Sequence, residues 1–332
     1  MKKIIDKSNM KEVIVDFPKQ FEKALELAKD VKVEGKFENI IIAGIGGSAL
    51  PANILISYIN CLSLQVPPIY TRRDYNLPSQ AEKNSLIICI SYSGNTEEPV
   101  SVLKESIKRK LKVACIASGG KIEELCQKHN IPLVKIPSGI QPRSATGYLF
   151  SSLVKVLANS KIMKDISNDI LKMAKELEKL NQEQKGKALA KKLENKIPIV
   201  YASNKFKCVA RIWKIKFNEN SKIPAFYNYF PELNHNEMVG FTQTKRSNKF
   251  HIIILRDETD HPRNLKRMNL FSQLMATKRI DVDFVDIKKG SHLFKILSTI
   301  LLGDWVSYYL ALEYKVDPTP IKMVEEFKKK LR

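Results

Sequence analysis

Two hydrophobic patterns alternate along the chain. Phe17, Phe21, Ala24, Leu25 and Ala28 recur at helical spacing, so residues 10–30 read as an amphipathic helix. Residues 40–43 form a short unbroken apolar run, the signature of a strand covered on both faces. This run enters Gly44-Ile45-Gly46-Gly47-Ser48 and a helix reaching about Tyr58. A strand near Ile69 follows. A second buried run at 86–90 opens into Ser91-Tyr92-Ser93-Gly94-Asn95-Thr96-Glu97-Glu98 and a helix to about Lys110. Strands at 112–117 and 133–136 flank a helix at 121–129, and an apolar helix ends near Leu157. Residues 160–195 are polar and helix-forming. The rhythm then restarts with strands at 197–203, 251–257 and 281–286 and helices at 264–278 and 291–314. Past Pro318 and Pro320, Ile321, Val324, Phe327 and Leu331 place an apolar stripe on a terminal helix. Strands alternating with helices predict βαβ units, and hence an α/β fold of two three-layer αβα lobes, each a parallel sheet flanked by helices. The expected divisions are a first lobe at 1–158, a helical connector at 159–195, a second lobe at 196–315 and a C-terminal helix at 316–332 over the active site.

Composition narrows the classes. The chain has 332 residues, enough for two domains, and none of its apolar runs has the length of a membrane span. Its first residues are charged too early for a secretory signal. Cys61, Cys89, Cys115, Cys126 and Cys208 are scattered and odd in number, which suits free thiols in a reducing cytoplasm. The histidines at 129, 235, 251, 261 and 292 show no metal-ligand spacing, so no metal or cofactor is expected. The formal charge of +21 comes from lysines spread along the whole chain. Nucleic-acid binding would require a focused basic face with interleaved aromatics. A dispersed lysine surface instead favours small anionic ligands.

Candidate chemistry lies in the loops after the strands, because open parallel sheets bind ligands beyond their carboxyl edge. The loop at 91–98 joins a strand to a helix, where free N–H groups and the helix dipole favour an anion. Ser91, Ser93 and Thr96 add hydroxyl donors, and Gly46, Gly47 and Gly94 let backbone approach a ligand closely. A phosphate ester suits this seat. The alternative is a capped turn, with Asn95 as N-cap and Glu98 closing a capping box. Ser48 and Arg143 fall at the same edge. The Gly-Ile-Gly-Gly spacing lacks the third glycine of a dinucleotide site.

Ile-Ser-Tyr-Ser-Gly-Asn-Thr-Glu-Glu at 90–98 resembles the sugar-phosphate loop of SIS (sugar isomerase) domains. The chain adds Gly-Ile-Gly-Gly-Ser at 44–48, Pro-Arg-Ser at 142–144, Asn-Glu-Asn-Ser-Lys at 218–222, Pro-Glu-Leu-Asn-His-Asn-Glu at 231–237 and Leu-Gly-Asp-Trp-Val-Ser-Tyr-Tyr-Leu-Ala at 302–311. In this order they resemble the archaeal-type bifunctional phosphoglucose/phosphomannose isomerases over essentially the whole chain. The resemblance implies metal-free interconversion of glucose 6-phosphate and mannose 6-phosphate with fructose 6-phosphate through a cis-enediolate. It implies Glu219 as the base, His235 as the ring-opening group, Arg143 holding the enediolate or phosphate, and Lys328 on the terminal helix as a catalytic lysine. It also implies a homodimer in which His235 reaches the neighbouring subunit's site. Read without the family, Glu219 is a surface acid paired with Lys216 or Lys222, His235 bonds to Asn234 or Asn236, and Arg143 is solvated. A catalytically silent SIS sugar-phosphate sensor is the rival reading, and it needs neither a base nor a ring opener. Amino-sugar isomerases often carry an N-terminal cysteine nucleophile, and Cys61 is the first cysteine here.

Overall fold

A computed structural model describes residues 4–331 and divides them into two compact units, Asp16–Lys179 and a second made of 4–15 with 180–331. In chain order the first unit comprises α2 (Lys19–Leu27), β1 (Asn39–Ala43), α3 (Leu50–Leu62), β2 (Ile69–Arg72), β3 (Ser85–Ser91), α4 (Glu97–Lys108), β4 (Lys112–Ala117), α5 (Gly120–His129), β5 (Leu133–Lys135), α6 (Thr146–Asn159) and α7 (Ser167–Glu178). The second comprises α1 (Met10–Val15), α8 (Glu183–Lys192), β6 (Ile197–Ser203), α9 (Lys207–Lys216), β7 (Phe226–Phe230), α10 (Thr244–Ser247), β8 (Phe250–Arg256), α11 (Pro262–Thr277), β9 (Asp281–Asp286), α12 (His292–Glu313) and α13 (Lys322–Leu331).

The first sheet is parallel in the order β2-β1-β3-β4-β5. All seven positions of β3 are buried, as expected of a central strand with helices on both faces. Ile41, Ile87, Cys89, Val102, Leu103, Cys115 and Ile122 belong to one apolar cluster. The second sheet is also parallel, in the order β7-β6-β8-β9. Tyr201, Phe230, Ile252, Ile254, Met268 and Phe271 form its cluster, with Tyr201, Phe230 and Phe271 edge to face.

Two expectations change. The helix read at 10–30 is broken, because Pro18 supplies no N–H and sits just before α2. Its first piece, α1, packs in the second unit against α12, and Lys11 reaches Glu183 at 2.6 Å. Residues 159–195 are not a separate connector. Ile170, Met173 and Leu177 of α7 are buried in the first unit, whereas Leu189 and Ala190 of α8 are buried against the second.

Candidate active site

In the first sheet, β1 is flanked by β2 on one side and β3 on the other. The loops following β1 and β3 therefore open side by side at the carboxyl edge. Ser48 bridges them, its hydroxyl oxygen accepting the Tyr92 N–H at 2.9 Å, which leaves its own proton to donate. Ser91 is fully buried and donates to Thr96 Oγ1 at 3.0 Å, while the Gly94 N–H returns to the Ser91 carbonyl. Ser93 is exposed at the rim.

The expected capping box is absent. The helix begins one residue later than that motif requires, and Thr96, which precedes it, makes no side-chain cap. The Asn95 carboxamide instead accepts the Lys121 N–H at 3.0 Å, and Ile122 N–H donates to the Gly94 carbonyl at 2.9 Å. The loop is thus held by the first turn of α5, not by its own helix. Gly94 has φ +69°, and a Cβ there would lie 1.7 Å from the Gly119 oxygen. At Gly47 a Cβ would lie 2.5 Å from the Pro142 carbonyl carbon, so the turn Pro142–Ser144 rests directly on the glycine loop. Arg143 is on that turn and is fully buried, not solvated, with Nη1 3.3 Å from Gln141 Oε1. Ser48, Ser91, Ser93, Thr96, the glycines and the Arg143 turn are brought to one edge.

Glu219 belongs to the second unit. The chain leaves α9 through a π-helical turn, Phe217–Ser221, closed by Lys222 at φ +60°. This turn is fixed to α12 from beneath. Trp213 donates its indole N–H to the Thr299 carbonyl at 2.8 Å, and Lys216 pairs with Asp304, both almost fully buried. The Asn220 amide donates to Ser307 Oγ at 2.9 Å, and the Ser221 hydroxyl to the Ser307 carbonyl at 2.7 Å. Asn218 bonds the Ile223 carbonyl at 2.9 Å. Both neighbours of Glu219 therefore spend their side chains on the scaffold, and Glu219 itself is half-buried. Lys216 is paired with Asp304, and the Lys222 ammonium goes to the Glu219 and Pro318 carbonyls. Lys216, Asp304 and Ser307 were missed as a supporting group. The available signal was charge inside two apolar stretches, Lys214 and Lys216 within 212–217 and Asp304 alone within 300–306.

His235 ends the turn Glu232–His235 that follows β7. Its ring is exposed and has no hydrogen-bond partner among the described residues. Asn234 bonds Met238 and Arg267, and Asn236 bonds Glu232. Glu219 precedes β7 and His235 follows it, so the two lie at opposite ends of a five-residue strand. At about 3.3 Å per residue that strand alone is roughly 16 Å long.

Lys328 is exposed on α13. Of the terminal stripe, Ile321 is half-buried while Val324, Phe327 and Leu331 are 41%, 64% and 55% exposed, so most of it is not covered by its own chain. The surface of α12 is already occupied by α1, α8 and α9. Among the described residues no group of three His, Cys, Asp or Glu side chains has the geometry to hold a metal ion. Among them, too, no helix is long and apolar enough to cross a membrane.

Two parallel three-layer units with a glycine- and hydroxyl-lined cradle define an SIS-fold protein. The C-terminal domain of glucosamine-fructose-6-phosphate aminotransferase from Francisella tularensis superposes with a TM-score of 0.69 at 15% identity, over 93% of this chain and 97% of that one. Residues 182–331 match the family described as bacterial phospho-glucose isomerase C-terminal SIS domain. A bifunctional phosphoglucose/phosphomannose isomerase of Caldicellulosiruptor bescii is 37% identical over 336 residues, 97% of this chain and 98% of that protein. One from Aquifex aeolicus is 34% identical over 323 residues, 96% of this chain and 97% of its own length. The chain belongs to the bifunctional phosphoglucose/phosphomannose isomerase family.

Proposed function

We propose that this protein interconverts glucose 6-phosphate and mannose 6-phosphate with fructose 6-phosphate through a cis-enediolate, without a metal or other cofactor. The observation that carries the reading is near-full-length identity to named isomerases, combined with a carboxylate presented on an anchored turn. Ser48, Ser91, Ser93 and Thr96 hold the phosphate, helped by backbone N–H groups of the Gly46-Gly47 and Gly94 loops. The free Ser48 proton and the buried Ser91–Thr96 pair support this assignment. His235 donates a proton to the ring oxygen as the C1 hydroxyl loses one, giving the open-chain sugar. Glu219 then removes the C2 proton of the aldose and returns it to C1, giving the ketose. Arg143 keeps its charge at all working pH values and stabilises the enediolate oxygens, with Lys328 as a second cation.

The working unit in this reading is a homodimer in which His235 serves the partner's site. The separation of Glu219 and His235 along β7 supports it, as does an exposed imidazole with no partner among the described residues. Five cysteines without a disulfide fit a cytoplasmic setting.

The test supplies EDTA-treated protein with fructose 6-phosphate in deuterated water and follows products by NMR. Glucose and mannose 6-phosphates deuterated at C2 are expected. Glu219→Gln should abolish turnover while still binding fructose 6-phosphate. Binding without conversion by the wild-type chain would make it a sugar-phosphate sensor.

A further inference from the structure

The second sheet repeats the layout that makes the phosphate cradle in the first. Here β6 is flanked by β7 and β8, and the loops after β6 and β8 open together at the carboxyl edge. The loops here, Asn204-Lys205-Phe206 and Asp257-Glu258-Thr259-Asp260, carry neither the glycine run nor the Ser-Gly-Asn-Thr sequence of the first sheet. Asp257, the residue after β8, fills this place and is fully buried. Lys295 Nζ lies 2.8 and 3.0 Å from its two carboxylate oxygens, and Lys205 Nζ is 3.0 Å from Oδ2. Thr259 adds its hydroxyl at 2.7 Å and its backbone N–H at 3.3 Å. Two ammonium groups, a hydroxyl and a main-chain N–H converging on one carboxylate are the donor set of an oxyanion site. Both lysines also touch Thr259 Oγ1 at 3.0 Å, so the donors form one connected shell.

Two lysines face one carboxylate. The other acid in the cluster, Asp260, accepts from Ser203 at 2.7 Å and has one buried oxygen without a partner. Burial pushes the Asp260 carboxyl up. Thr259 is exposed and Lys205 partly so, which leaves a way in from solvent.

We infer that the carboxyl edge of the second sheet is a second oxyanion site, of the class that takes inorganic phosphate, and that the chain's own Asp257 carboxylate is its occupant. The site is closed by an internal anion and not dismantled. Each chain therefore offers a single open phosphate seat although its architecture contains two.

Equilibrium dialysis against inorganic phosphate at constant ionic strength tests this without reference to isomerase activity. Asp257→Ser should bind one more equivalent per chain than wild type. Adding Lys295→Met should remove that equivalent. A folded Asp257→Ser chain with wild-type stoichiometry overturns the inference, as does an extra equivalent that survives Lys295→Met. If Asp257→Ser does not fold in phosphate-free buffer, refolding in phosphate should recover it, because the added anion replaces the lost carboxylate. Failure of phosphate to recover the fold also overturns it.

Discussion

Replacing Gly94 by alanine isolates what the loop after β3 asks of its backbone, and Gly46 supplies the control. Both have positive φ, +69° and +57°. At Gly46 a Cβ meets nothing within 4 Å, so Gly46→Ala carries only the left-handed backbone cost, about 1–2 kcal/mol. At Gly94 the same methyl would stand 1.7 Å from the Gly119 oxygen, and the gap must open by at least 1.3 Å to reach even 3.0 Å. An opening of that size separates the loop from the first turn of α5. The Ile122 N–H to Gly94 carbonyl and Lys121 N–H to Asn95 bonds, at 2.9 and 3.0 Å, cannot both survive it. At about 1 kcal/mol each, their loss brings Gly94→Ala to about 3–4 kcal/mol. Urea unfolding of the two variants against wild type measures the difference. The same displacement moves the loop N–H groups away from a bound phosphate, so fructose 6-phosphate affinity should fall at least about tenfold, equivalent to 1.4 kcal/mol. If Gly94→Ala is no less stable than Gly46→Ala and binds the sugar phosphate normally, α5 does not hold the loop as described.

Three further outcomes are expected. Lys216→Met should cost about 3–5 kcal/mol by taking the ammonium away from buried Asp304, and Lys216→Met/Asp304→Leu should recover most of it in urea unfolding. Burial alone would raise the Asp257 carboxyl, but bonds from Lys295, Thr259 and Lys205 outweigh it and hold the group at about 2. A folded-state value below the unfolded one stabilises the fold above about pH 4 and is lost as pH falls towards 2. Wild type should therefore lose about 2 kcal/mol across that window from this group, a component missing from Asp257→Asn in unfolding curves at several pH values. Finally, Glu219→Gln and His235→Asn should each be inactive alone. Mixed after subunit exchange, they should regain up to about a quarter of wild-type turnover, because half the dimers are hybrid and each hybrid has one intact site. No recovery in verified hybrids would place both residues in one subunit's site.

The central strands were readable because a parallel strand covered on both faces must be apolar throughout, as residues 86–90 are. Strand β7 was not. As an edge strand it leaves Phe226 and Tyr227 exposed, and Phe-Tyr-Asn-Tyr-Phe resembles neither a buried run nor a clean alternation. Missing it also hid the distance between Glu219 and His235. The loop at 91–96 is a candidate by residue type, but its support by α5 depends on a tertiary bond from Lys121 that no local pattern contains. The capping box illustrates the opposite error, a local motif displaced by a long-range partner. For Glu219, the family motif marked the position, while the π-helical turn and the Lys216–Asp304 pair beneath it required α12 to be seen beside α9. The cluster at Asp257 joins residues 205, 257, 259 and 295. Two of these are lysines among 56 basic residues, and only the topology singles them out.

The early segment containing α1 belongs with the later half of the chain, and this sets an order of events during synthesis. Asp16–Lys179 is contiguous and has all its partners as soon as it leaves the ribosome. Met10 and Ile14 do not, because they are buried in a unit whose helix α12 ends at Glu313. At roughly 5–20 residues per second, α1 waits on the order of 15–60 s for that helix to be made. The segment before Asp16 must stay soluble through this interval, tethered to an already folded neighbour. A fragment beginning at Leu180 would lack it altogether, leaving Glu183 without Lys11 and part of α12 uncovered.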